Sequence, residues 1–136
     1  MEYIYERKIN YYETDRMGVV HHSNYIRFLE EARCGFLEKV GMPFSLLEAS
    51  GITIPVLNVN CDYKQHVTFG DTIVIKLWIK EYTGVRFTIQ YEVTDKKSGK
   101  LVLKGTTKHC FTSKELKPIS LKKYNKEFNE KFESML

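Results

Sequence analysis

Between Tyr25 and Val40 the apolar residues of this chain recur every third or fourth position, whereas from residue 54 to residue 111 they recur every second one. A helical period that gives way to a long stretch of strand period restricts the fold to one helix laid on one sheet. Tyr25, Phe28, Leu29, Ala32, Phe36 and Val40 make a single stripe, widened by Ile26 and Leu37, while Arg27, Glu30, Glu31, Glu38 and Lys39 fall mostly elsewhere. In "TIVIKLWIKEY", Ile73, Ile75, Leu77 and Ile79 alternate with Val74, Lys76, Trp78 and Lys80. In "VRFTIQYEV", Phe87, Ile89, Tyr91 and Val93 alternate with Arg86, Thr88, Gln90 and Glu92. Residues 54–64 read as a strand with Ile54 and Val56 on one face and Leu57, Val59, Cys61 and Tyr63 on the other, and "LVLKGTTKHCF" reads as the last strand. The connections "VTFGD", "TG" and "DKKSGK" are short, so neighbouring strands are antiparallel. The expected class is α+β.

The margins of this pattern are set by turn and cap residues. Residues 3–12, rich in Tyr and Ile, read as a first strand that "ETDRMG" breaks. Ser23 or Asn24 is the expected N-cap of the long helix, because a short polar side chain satisfies an orphan amide there. Gly41 and Pro43 stop the helix, and "FSLLEAS" reads as a short second helix ended by Gly51. Gly105 marks a bulge or a close approach of backbones. The tail from about Ser120 reads as a helix with Tyr124, Phe128 and Phe132 at four-residue spacing. With 136 residues, one domain over 1–136 is expected, with a core at about 3–113 and a helical extension at about 119–134.

Composition excludes several functions. The net charge of +4 is dispersed, which suits an anionic ligand but not a nucleic-acid face. No apolar run approaches the ~20 residues of a membrane span, and the N-terminus "MEYIYERKIN" lacks a signal pattern, so the expected location is cytoplasmic. Cys34, Cys61 and Cys110 are odd in number and far apart, which argues for packed thiols rather than disulfides or a metal. His21 and His22 are not expected to hold a metal, because adjacent side chains diverge and no third ligand is suitably spaced.

The chemistry concentrates in "YYETDRMGVVHHSNYIRFLEEAR" (11–33). Asp15 lies in the loop that leads into the long helix. A carboxylate there can attack an acyl carbon or activate water, and the helix N-terminus supplies amides and a positive dipole end for an oxyanion. Gly18 lets the chain turn between them. The bland alternative is a solvated aspartate in a local Asx turn. For Cys34 a structural role is expected, and for Glu31 and Arg33 an ion pair at an interface or on the helix surface.

This segment resembles the signature of hotdog-fold acyl-CoA thioesterases of the 4-hydroxybenzoyl-CoA thioesterase type, on the branch associated with the Tol–Pal operon. Tyr12, Thr14, Asp15, Gly18, Val19, Val20, His22, Asn24, Tyr25, Ala32 and Arg33 stand in register with it. "FGD", "VRFTIQYEV" and "GTTKHCF" also look like family strands. The resemblance implies a curved antiparallel sheet of about five strands wrapped around one central helix. It implies Asp15 as the catalytic carboxylate and the backbone of His22 as the polarising amide. It also implies subunits that pair as a homodimer or homotetramer with the site at their interface. The expected substrate is an acyl-CoA, with no separate cofactor. The expected substrate contacts are Tyr12, Gly18, Val20, Asn24, Tyr25, Phe69 and Arg86. Lys64 and Lys80 are further candidates for the phosphates, and Val67, Thr68, Phe69 and Gly70 for the pantetheine path. His21 stands where the family often has tyrosine, and His66 where it often has proline. The alternatives are a hotdog hydratase using Asp15 and His22 as an acid–histidine pair, and a non-catalytic acyl-thioester binding protein.

Overall fold

The computed structural model describes all residues from 1 to 136. Strands β1 (Tyr3–Lys8), β2 (Val56–Tyr63), β3 (Thr72–Tyr82), β4 (Arg86–Asp95) and β5 (Leu101–Cys110) form one sheet in the order β1-β3-β4-β5-β2. Every neighbouring pair is antiparallel. Helix α1 (His22–Lys39) lies across the inner face, followed by α2 (Phe44–Ala49). Two short helices, α3 (Leu121–Tyr124) and α4 (Lys126–Ser134), close the chain. This is the hotdog arrangement that the family resemblance implied.

The period-2 reading fixes which side chains meet the helix. Ile73, Ile75, Leu77, Ile79, Phe87, Ile89, Tyr91 and Val93 are buried, and so are Tyr25, Phe28, Leu29, Ala32, Phe36 and Leu37 of α1. Two glycines set the spacing. A Cβ on Gly35 would stand 2.5 Å from the Tyr3 hydroxyl, so α1 can lie close on β1. A Cβ on Gly105 would stand 2.6 Å from the Asn60 carbonyl oxygen, so β5 can draw in β2. Gly105 is thus a close approach and not a bulge, and the β4–β5 irregularity falls at Val93/Thr94.

Four boundaries differ from expectation. The first strand stops at Lys8, because Ile9 turns to exchange hydrogen bonds with the 70–71 loop, and a 3-10 turn follows at Tyr11–Glu13. β2 is shorter than 54–64, and its register slips between Val56 and Asn58. The N-cap of α1 is His21, whose Nδ1 accepts from the Ser23 amide, and not Ser23 or Asn24. The tail is broken at Asn125, whose side chain caps α4, so Tyr124 leaves the stripe and its hydroxyl donates to the Ser50 carbonyl. Phe128, Phe132 and Met135 then enter the core. The Phe132 ring lies 5.0–5.2 Å from those of Tyr82, Phe87 and Phe111 and closes the end of the roll at the β3–β4 turn.

β2 is an edge strand that overhangs α1. Val59, Cys61 and Tyr63 pair with Thr107, Gly105 and Leu103, which places them on the inner face, yet Val59 and Tyr63 are exposed, as are Val56 and Leu57. Ile26 of α1, expected in the buried stripe, is 45% exposed beyond the covered part of the sheet. Uncovered apolar strand edges are the surfaces on which chains commonly pair.

Candidate functional site

The site grows from a tight hairpin just before α1. Thr14 and Val20 bridge as antiparallel partners, and the Asp15 amide donates to the Val19 carbonyl at 2.8 Å. Gly18, at φ 79°, turns the tip and donates to the Asp15 carbonyl at 3.0 Å. The hairpin is docked on residues 67–68, where the Val20 amide donates to the Val67 carbonyl at 3.0 Å and Val19 bridges Thr68. Asp15 is half-buried. Its Oδ1 accepts from the Met17 amide at 2.8 Å, so the Asx turn anticipated as the bland reading does form. Its second carboxylate oxygen has no partner in the chain. The turn therefore fixes the carboxylate while leaving one oxygen free to react.

The hairpin's base is the start of α1. Glu13 accepts from the His21 amide through its main-chain carbonyl at 2.9 Å, so Asp15 stands two residues above the helix cap. At the helix end, the Asn24 amide donates to the His21 carbonyl and the Ser23 amide to His21 Nδ1. The His22 amide makes no hydrogen bond within the chain. It is a free donor at the positive end of an 18-residue helix, the arrangement that stabilises a developing oxyanion.

A cavity of about 330 Å³ opens beside this amide, lined by Val20, His22, Tyr25, Tyr63, Lys64, Gln65 and His66. The rings of Tyr25 and Tyr63 lie 5.4 Å apart. Burial, assisted by Tyr63, pushes the Tyr25 phenol up to about 12, so it stays a neutral hydrogen-bonding group at ordinary pH. Burial likewise raises the Cys34 thiol, which keeps it out of the thiolate form that a nucleophile needs.

The expected site residues divide into four groups. Val20, His22 and Tyr25 come together in the cavity, and Asp15 and Gly18 stand on the hairpin that leads into the helix start, outside the cavity's lining. Asn24 is turned inward, its amide donating to the Glu13 carbonyl at 2.9 Å, so it braces the hairpin base. Tyr12 and Phe69 sit outside the cavity and are 79% and 57% exposed; Phe69 packs edge-on against Tyr11, ring centres 5.6 Å apart. Arg86 does not join the others within one chain. It opens β4 opposite Cys110, at the far end of the sheet, where it lines a second cavity of about 380 Å³ with Lys108, Thr83, Glu81 and Asn58. An eight-residue strand separates the two ends by roughly 25 Å.

The imidazoles of His21 and His22 do not diverge as expected; they lie against each other, ring centres 4.2 Å apart and planes tilted by 31°. Arg33 is not on the helix surface. It is 7% exposed and donates to the Tyr91 hydroxyl at 3.3 Å, with only a loose 3.9 Å approach to Glu30. Tyr63 and Gln65 were not anticipated as cavity residues; the β2 parity that put Tyr63 with Val59 and Cys61 was the available signal.

Comparison with known proteins gives a consistent picture. The family described as the thioesterase-like superfamily matches residues 9–131. A 1,4-dihydroxy-2-naphthoyl-CoA hydrolase of Crocosphaera subtropica is 32% identical over 107 residues, 77% of this chain and 78% of the relative. The crystal structure of a DHNA-CoA thioesterase from Staphylococcus aureus superposes with a TM-score of 0.92 at 31% identity, covering 98% of this chain and 89% of its own. That of a hypothetical protein from Aquifex aeolicus superposes with a TM-score of 0.87 at 37% identity, covering 96% and 98%.

Proposed function

The chain belongs to the thioesterase-like superfamily, and from that premise we propose that it hydrolyses an acyl-CoA thioester through Asp15, with the His22 amide as oxyanion donor. The observation that carries this reading is one hairpin that holds a carboxylate with one free oxygen and whose base leads into an unpartnered helix-start amide. Either the carboxylate attacks the thioester carbon and forms an acyl anhydride, which water then hydrolyses to release the acid and restore Asp15, or it draws a proton from a water that attacks the carbon directly. The carbonyl oxygen, as it gains charge, is met by the His22 N–H, and the CoA thiolate leaves. No separate cofactor enters this scheme. The acid–histidine pair of a hydratase finds less support, because Asp15 and His22 share no hydrogen bond and the His22 ring lies against that of His21, centres 4.2 Å apart. A purely binding role would leave the free carboxylate oxygen without a task.

The distant Arg86 becomes useful if two copies pair along β2. Antiparallel pairing of the two exposed edges brings the Val56 end of one strand beside the Tyr63 end of the other. Arg86 and Lys108 of the second copy would then approach the first copy's cavity, where the CoA phosphates need cations. The site is thus read as completed in a homodimer. The register of Tyr12, Thr14, Asp15 and the following residues supports the 4-hydroxybenzoyl-CoA thioesterase type and its Tol–Pal-associated branch. No helix of the chain is long and apolar enough to cross a membrane, and a cytoplasmic location suits a CoA substrate.

The test is CoA release from short, medium and aromatic acyl-CoAs by the wild type and by Asp15→Asn. Loss of at least about a hundredfold, roughly 2.7 kcal/mol of transition-state stabilisation, is expected. Equal activity of the two proteins on every substrate sinks the assignment.

A further inference from the structure

Directly before the Asp15 hairpin lies a buried ion pair that the hydrolytic scheme does not use. Glu13 is 5% exposed. Arg7, from β1, grips both of its carboxylate oxygens: Nη1 donates to Oε1 and Nη2 to Oε2 at 2.6 Å. The same guanidinium reaches α1, where Nε donates to Glu31 Oε1 at 3.0 Å, and it lies over the Phe28 ring at 4.5 Å. Tyr5 donates to the same Glu31 oxygen at 2.9 Å. The Asn10 amide donates to Glu13 Oε1 at 2.7 Å. Burial works against the charge on Arg7, but its bonds to the two carboxylates outweigh it and push its pKa up.

The side chain of Glu13 is therefore fixed to β1 and, through Arg7, to α1. Its main chain is fixed elsewhere. The Glu13 carbonyl accepts from the amide of the cap residue, His21, and from Asn24 Nδ2, both at 2.9 Å. One residue on, Thr14 closes the hairpin against Val20. Any rotation of residue 13 thus moves the hairpin base and the helix cap together. A hydrophobic residue could fill the same space, but it could not hold three elements in one orientation through a planar fork.

We propose that Glu13, gripped by Arg7, is a positioning residue that sets the Asp15 carboxylate against the His22 amide without itself touching substrate. The inference rests on the reading of Asp15 as the reacting group. It asks of the pair only that it hold a distance, and a displacement of about 1 Å in such a constellation costs up to ~100-fold in rate.

The test compares Glu13→Ala, Glu13→Gln and Arg7→Lys with the wild type and Asp15→Asn, by CoA-release kinetics and by amide hydrogen exchange over residues 13–24. Glu13→Ala and Arg7→Lys are expected to lower kcat ~10- to 100-fold with KM within about threefold. Both should speed exchange of the His21 amide while global unfolding stays cooperative. Glu13→Gln keeps an acceptor for Asn10 and for one arm of Arg7, so most of kcat returns. If Glu13→Ala does not fold, Arg7→Lys carries the test, because lysine keeps the charge and loses the fork. Unchanged kcat in the folded variants overturns the proposal. So does a loss of kcat that follows melting temperature alone, with exchange at His21 unaltered. Should Asp15→Asn retain full activity, the hydrolytic reading fails separately, and the exchange data alone decide whether the pair holds the hairpin.

Discussion

The free amide of His22 can be removed by itself. Proline at the first position of a helix is tolerated, because that N–H has no partner inside the helix and the ring's φ suits the helical turn. The residue before proline must be extended, and His21 already is, at φ −66° and ψ 134°. The His22 amide makes no hydrogen bond in the chain, so His22→Pro deletes an oxyanion donor and no bond of the fold. Loss of one such donor lowers kcat by about 10²–10³, or about 2.7–4 kcal/mol. The imidazole is lost as well, so His22→Ala, which keeps the amide, is the reference. The assay is thiol release at saturating acyl-CoA, read beside urea unfolding of both variants. The stabilities should agree within about 0.5 kcal/mol, as for substitutions that remove no buried contact. If His22→Pro folds and its kcat lies within threefold of His22→Ala, the helix-start amide is not the oxyanion donor.

Other perturbations probe the frame. Phe132→Ala empties a fully buried ring site among Tyr82, Phe87 and Phe111 and should cost about 3–5 kcal/mol in urea unfolding; a loss below about 1 kcal/mol would mean that α4 does not seal the core. His109 is fully buried, and burial, followed by the Arg33 charge, lowers its pKa to about 4. The folded state therefore resists protonation that the unfolded chain accepts, so stability is complete near pH 7 and declines as pH falls from about 6.5 to about 4. The decline is on the order of 3 kcal/mol at about 1.36 kcal/mol per unit, and His109→Gln should flatten it. Gly105→Ala would thrust a Cβ to 2.6 Å from the Asn60 carbonyl. It should lower stability by about 1–3 kcal/mol and reduce CoA release by shifting Tyr63 on β2; wild-type stability would show that β2 and β5 do not approach so closely.

The parts of the fold that were legible in the sequence are those governed by period. The α1 stripe and the Ile73–Ile79 and Phe87–Val93 alternations were visible because burial selects one face of each element. That Asp15 sits in the turn leading into the helix start was legible from spacing. What escaped was decided by partners distant along the chain. Ile9 leaves the strand pattern because residues 70–71 capture it. Ile26 joined the predicted stripe, but β2 overhangs the helix and leaves it exposed. Glu13 reads as one more loop acid until Arg7 and Glu31 are seen around it. Arg86 reads as a phosphate contact from its charge at a strand end, and only the strand register shows that within one chain it stands at the other end of the sheet.

The place of β2 in the sheet has a kinetic consequence. β3, β4 and β5 are joined by short turns and can zip from neighbouring residues. β2 leaves the ribosome before them, yet its partners on β5 lie roughly 40 to 50 residues further along, so its pairing closes a large loop and has to wait for the meander to form. The wall of the cavity, including Tyr63, is then expected among the last parts to assemble. Substitutions on β2 such as Val59→Ala should accelerate unfolding and leave the folding rate nearly unchanged. A folding rate that fell in proportion to stability would place β2 in the nucleus instead.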